Sequence, residues 1–319
     1  MALPKIDNIE LRKVTENILL AHQKKPPFYF SCCDGLIILP RKGRNLETII
    51  LDLNIEPNLI NQINKYYGPI SNYVCTHAHM DHMAHIHQWE SLGASINASN
   101  PEHLYLLDLY NFYEGFGFDE VMDFSIIKKF GQLNGYKKCI NVKPFNPGEK
   151  LIFENLIIET IPFLGHSKAH VGLFLPEEKI LHISCLGFDQ SRPDDDGFGP
   201  WYGFEECSID QYIKDIDLAE LIFLEKTDLL TSSHSYIVKN PDKTPFTYMR
   251  DKIAKNQDLV DQAIITLKPS DPPEISIEDL LKLDLFFPKR KMSGFMLEIY
   301  NFWESGIIGK HMERSKYLK

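Results

Sequence analysis

Apolar residues fall in short runs separated by polar turns through the first three quarters of the chain. "FYFSCCDGLIILP" (28–40) and "ETIILDLNI" (47–55) predict adjacent strands joined across "RKGRN". "EPNLINQINKYYG" (56–68) carries apolar residues at helical spacing and stops at a glycine. "SNYVCT" (71–76) predicts a short buried strand, "DHMAHIHQWESLG" (81–93) a helix, and "ASINAS" (94–99) the next strand. The aromatic-rich stretch 101–135 predicts a packed helix pair, with an insertion covering a site as the alternative.

Further on, "EKLIFENLIIETIPF" (149–163) predicts a hairpin around Glu154-Asn155. "HVGLFLPEEKILHISCLGF" (170–188) predicts a second, turning at Pro176–Lys179. A helix over 208–225 has Ser208 as its N-cap, and "DLLTSSHS" (228–235) is a final short strand and loop. After "KNPDKTP" (239–245) only helical patterns follow. The expected division is therefore a main domain over 1–245 and a helical extension over 246–319.

Charge and cysteine usage narrow the function classes. A net charge of −10 and a pI near 5.6 argue against non-specific nucleic-acid binding. The acidity sits in the first 249 residues, with 22 basic against 33 acidic, whereas residues 250–319 carry 12 basic and 11 acidic. The N-terminus lacks a signal-peptide pattern and no apolar run approaches 18 residues, so neither export nor a membrane span is expected. Six cysteines without a C-x-x-C pair predict reduced thiols in a cytoplasm.

The chemistry concentrates in "CTHAHMDH" (75–82). His77 and His79, two apart in an extended segment, project to the same side and suit one ion. Asp81 and His82, at the predicted helix start, turn toward a second. Chance places H-x-H-x-D-H in roughly one chain in a thousand of this composition. His166 in "FLGHSKAH" and His234 in "TSSHS" stand at predicted strand ends as further imidazoles. Lys168 and His170 flank His166, placed either to contact an anion or, as exposed residues commonly are, without a role. Trp201 and Tyr202 either line an entrance or belong to a solvated loop.

The order of "THAHMDH", "GHSKAHVGLFLPEEKIL" and "SSHS" resembles the metallo-β-lactamase superfamily over roughly residues 15–240. That resemblance implies an α/β fold, the αββα sandwich, with a helical C-terminal extension and a dinuclear site at one sheet edge. It implies a metal-dependent hydrolase, with two zinc ions as cofactor and iron as the other metal the set admits. The family's bridging Asp, 19 residues after the GH histidine, is replaced here by Cys185. One zinc β-lactamase subclass uses a cysteine there but lacks the histidine equivalent to His82. The implied set is thus His77, His79 and His166 for one metal, and Asp81, His82, Cys185 and His234 for the other. A thiolate favours zinc over harder ions. Asp189 is the alternative source of a carboxylate. Asp81 is the expected catalytic residue, orienting a water. The expected substrate is a small ester, thioester, lactone or amide. The competing readings are a nuclease or phosphodiesterase acting on RNA, a di-iron redox enzyme, and a non-catalytic metal-binding member. The di-iron reading is weakened by His79, where those enzymes carry Glu, and by the lack of a flavin phosphate loop. The tail is expected to pack or to form a homodimer.

Overall fold

The computed structural model describes residues 3–28, 30–40, 47–154, 156–187, 200–234, 237–267, 275–287 and 293–318. Seven strands form the first sheet in sequence order: β1 (Ile9–Lys13), β2 (Ile18–Gln23), β3 (Gly35–Ile38), β4 (Thr48–Leu51), β5 (Ile70–Cys75), β6 (Ser95–Ser99) and β7 (Val142–Phe145). Pairing is antiparallel from β1 to β4 and parallel from β4 to β7. The second sheet comprises β8 (Lys150–Phe153), β9 (Leu156–Pro162), β10 (Val171–Leu175), β11 (Ile180–His182), β12 (Leu229–Thr231) and β13 (Ile237–Lys239). Only its β11–β12 pair is parallel.

Period-two alternation assigns the layers. In β2, Ile18 and Leu20 pack with Leu36, Ile49, Leu51 and Val74 against Ile158, Val171, Leu173 and Leu175 of the second sheet. Leu19 and Ala21 face the other way, into a cluster with Leu59, Ile60 and Ile63 of helix α1 (Pro57–Tyr67). Both sheets are therefore covered on both faces, which makes helix–sheet–sheet–helix layers. Four short helices in the connections of the first sheet are α2 (Met80–Met83), α3 (Ile86–Ser91), α4 (His103–Leu107) and α5 (Leu109–Gly115). Helix α6 (Phe124–Leu133) follows before β7. On the second sheet, α7 (Ile209–Lys226) covers Leu181, Ile183 and Leu230 with Ile216, Ile222 and Phe223. Its first turn is capped by Ser208, whose hydroxyl accepts from the Gln211 N–H.

The expected 81–93 helix is broken, and the cause is visible. The Asn54 side chain accepts the His85 N–H at 2.8 Å and donates to the Asp81 carbonyl. Those two groups would otherwise bond to each other as the i to i+4 pair of one continuous helix. A side chain inserted into that ladder splits it into α2 and α3. The aromatic stretch 101–135 does pack as helices, but it also faces the site. The strands β1, β2, β7 and β13 carry no strong local signal and were not expected; Asn155 of the first hairpin turn lies outside the described residues.

The tail contains α8 (Thr244–Leu267), α9 (Ile277–Leu281) and α10 (Phe295–Arg314). Phe246, Met249, Ile299, Trp303 and Ile307 join the main core, whereas Val260, Ile264, Leu280 and Ile308 form a small cluster of their own. No helix of the described residues is long and apolar enough to cross a membrane.

Candidate metal centre

The histidines stand where strands of both sheets end. His77 and His79 follow β5, Asp81 and His82 lie in α2, and His166 sits between β9 and β10. Cys185 follows β11 and His234 follows β12. The carboxyl ends of adjacent parallel strands are the usual place for ligands in open α/β sheets. The structure brings all seven expected residues to one place. Ligand atoms of Asp81, His82, Cys185 and His234 lie within 4.8 Å of one another, as do those of His77, His166 and Cys185. Cys185 thus belongs to both groups. His79 stands beside them, its ring 4.5 Å from the rings of both His77 and His166.

Hydrogen bonds fix which ring nitrogens face inward. His166 donates through Nδ1 to the Trp201 carbonyl at 2.8 Å, leaving the Nε2 lone pair 3.2 Å from His77 Nε2. His82 points Nδ1 at Asp52 Oδ1 at 3.1 Å and Nε2 at Cys185 Sγ at 3.0 Å. His234 Nε2 approaches the same sulfur at 3.1 Å. Asp81 Oδ2 is 3.7 Å from His82 Nε2. A carboxylate behind a ligating imidazole is the usual support of a metal site.

Does this set fit a metal? Tetrahedral zinc separates its nitrogens by about 3.3 Å, and a nitrogen from a sulfur by about 3.6 Å. The His77–His166 pair matches at 3.2 Å, and the sulfur contacts of 3.0 and 3.1 Å need to open by about half an ångström. His79 Nε2 is buried with no hydrogen-bond partner among the described residues, an arrangement that costs free energy unless something fills it. Burial and neighbouring imidazoles hold His77, His79 and His166 well below the ordinary histidine pKa, so they are neutral and able to ligate. Burial opposes ionisation of Cys185, yet His82 and His234 hold its thiol below the usual value. The reciprocal effect lifts His234, against burial, to about 9. The donor set fits a soft divalent cation.

Residues that sequence reasoning missed support this set from behind. Asp52, fully buried, accepts from Thr76 N–H and Oγ1, Ser184 Oγ and Ser233 Oγ, at 2.8 to 3.1 Å. Burial alone would raise its pKa, but His82 and His182 hold it well below the usual range. Asp52 and Ser184 both have positive φ, 61° and 50°, an uncommon conformation that their shared hydrogen bonds hold. Asp52 was an unremarked residue in "LDLN"; a polar residue at the end of an apolar strand was its only signal. Glu102, also fully buried, accepts from Ala78 N–H at 2.6 Å and Ala169 N–H at 3.1 Å. It ties the His77–His79 loop to the His166–His170 loop. Burial and then Glu206 push its carboxyl up to about 7.

Several expectations are corrected. Lys168 and His170 are committed within the chain: Lys168 Nζ bonds Gly115 O and the Glu206 carboxylate, and His170 donates to Phe163 O while accepting the Cys185 N–H. Trp201 does border the site, 5.1 Å from the His79 ring, but Tyr202 is fully buried against His311 and Asn256. Asp189 lies outside the described residues. Gly165 lets the His166 loop press on α7, because a Cβ there would overlap the Tyr212 backbone.

No family model matches the sequence, and no curated protein matches it. Solved structures do. A β-lactamase domain protein from Burkholderia ambifaria superposes with a TM-score of 0.66 at 13% identity, over 96% of this chain and 88% of that one. A metallo-β-lactamase family protein from Thermus thermophilus gives 0.63 at 14%, over 97% and 94%. The metallo-β-lactamase FIM-1 from Pseudomonas aeruginosa, in its mono-zinc form, gives 0.54 at 16%, over 79% and 97%. The chain has the metallo-β-lactamase fold with a C-terminal helical region, as the motifs implied.

Proposed function

We propose that this chain is a metal-dependent hydrolase of small esters, thioesters, lactones or amides, holding zinc at the His–Asp–Cys cluster. The observation that supports it is the buried, unpartnered His79 Nε2 beside two sets of ligand atoms that share Cys185. His77, His79 and His166 would hold one ion, and Asp81, His82, Cys185 and His234 the other, with Cys185 also within reach of the first. When bound, zinc supplies Lewis-acid polarisation and lowers the pKa of water to near neutral. The chain's own residues do the rest. Asp81 accepts the proton of the attacking water and orients it. His166 stays in the correct tautomer through Trp201, and Asp52 holds His82. We further propose that 1–245 is the catalytic unit and 246–319 an extension packed on it. A reducing cytoplasm suits its six unbridged cysteines.

Elemental analysis of the purified chain, with hydrolysis measured before and after chelation, tests this reading. Hydrolysis should disappear with the metal and return on adding zinc. His79→Ala should lose both metal and turnover. In the cobalt-substituted protein, Cys185→Ser should remove a thiolate-to-cobalt absorption band. Full activity in the chelated protein would defeat the proposal.

A further inference from the structure

The metal centre forms one end of a cavity of about 220 Å³, which His79, Asp81, His166, Cys185 and His234 help to line. The rest of its wall is dominated by Phe30, Phe112, Phe130, Trp201, Phe204 and Trp303. These rings come from four separate parts of the chain: the loop before β3, the helices α5 and α6, the loop before α7, and α10 of the tail. They are continuous. Trp201 lies 5.1 Å from the His79 ring and 6.0 Å from Trp303; Trp303 lies 5.0 Å from Phe30 and 5.9 Å from Phe130. An apolar wall therefore leads away from the ligand atoms. The polar lining is His22, Gln23, Lys24 and Asp34, and the wall reaches solvent at exposed Lys24 and Pro26.

Two features narrow the occupant. Among the described lining residues Lys24 is the single lysine or arginine, against Asp34 and Asp81, so no row of cations awaits a phosphodiester backbone. Trp303, on α10, is 4% exposed and shares that wall, so the apolar lining is drawn from the tail as well as from the main sheets' connections.

We propose that this cavity is an acyl-chain pocket: it takes the apolar acyl chain of an ester or thioester whose carbonyl lies at the His79–Cys185 end. Trp303 of α10 contacts that acyl chain through its ring. The C-terminal extension is thereby part of the substrate site. This rests on the hydrolase reading for the identity of the reacting group, but not for the binding of the chain. The cavity is finite, so each added methylene gains affinity only up to the length that it holds.

The test has two arms on the full-length chain. In the first, sodium alkanoates of two to twelve carbons titrate the metal-free protein, read by quenching of tryptophan fluorescence. Affinity should rise about three- to fourfold per added methylene and then level off within this series, once the chain fills the cavity. Phe30→Ala and Trp303→Phe should both weaken octanoate more than acetate, and Phe30, half-buried in a loop, keeps this arm usable if Trp303 variants fold poorly. In the second, the zinc-loaded protein is given nitrophenyl esters of the same lengths, acyl thioesters, bis-nitrophenyl phosphate and an RNA oligonucleotide. Specificity constants should follow the same length profile. Alkanoate affinity independent of length, or unchanged by Phe30→Ala and Trp303→Phe, overturns the pocket, whatever is hydrolysed. Preferential cleavage of the phosphodiesters also overturns it. Length-dependent alkanoate binding with no ester or thioester turned over keeps the pocket and sinks the hydrolase reading instead.

Discussion

Glu102→Ala is the sharpest perturbation of the centre that touches none of its ligands. The Glu102 carboxylate is the acceptor for two backbone N–H groups, those of Ala78 and Ala169, and both of these residues are buried. Truncation leaves both donors without a partner. A buried unsatisfied donor costs about 1–3 kcal/mol, so the pair costs about 2–6 kcal/mol. Against a typical total of about 5–15 kcal/mol, that is a large share. The same change frees the loop between His77 and His79 from the loop following His166. Loss of such an outer support lowers metal affinity by about 10- to 100-fold. Urea denaturation of the metal-free protein gives the first quantity, and zinc competition against a chromophoric chelator gives the second. A loss below about 1 kcal/mol together with unchanged zinc affinity would refute the reasoning, because it would mean that neither N–H depends on this carboxylate.

The Glu102 carboxyl is pushed from 4.5 up to about 7, so between those values the folded protein holds a proton that the unfolded chain releases. Stability from this group therefore falls as pH rises through that window, and Glu102→Gln should flatten that slope in urea midpoints measured from pH 5 to 7.5; parallel profiles would count against it. Asp52→Asn removes the buried charge facing His82 and should cost about 3–5 kcal/mol, measured in the metal-free protein; a neutral result would show that the two sheets do not need this anchor. Cys185→Asp should change second-metal affinity and supply the ordinary bridging carboxylate, and unaltered stoichiometry and affinity by titration calorimetry would remove Cys185 from the ligand set.

What the sequence made legible follows from range. His77, His79, Asp81 and His82 were visible because their spacing is local and rare. His166 and His234 stood out as imidazoles at predicted strand ends, but Cys185 and the grouping of all three with the first motif became interpretable only through resemblance, since nothing in the periodicity brings residues 50 or 100 apart together. Asp52 and Glu102 were invisible for the same reason: each acts on groups distant in sequence, and a single acid in "LDLN" or "NPEH" has no spacing to read. Strands β1, β7 and β13 are short or partly exposed, so their pattern is weak against that of β10, which is buried throughout. Tyr202 was misplaced because an aromatic beside Trp201 reads the same whether it faces a cavity or the core.

The intrusion of Asn54 between α2 and α3 has a wider consequence. The bearing of Asp81 and His82 is dictated by a side chain one strand away, so the ligand segment is a sprung joint and not a rigid rod. Replacing Asn54 with leucine would let the two short helices fuse. Winding the junction into a single continuous spiral would swing both ligands about the helix axis. The placing of Asp81 and His82 at this candidate centre is in that sense governed by one amide outside the cluster.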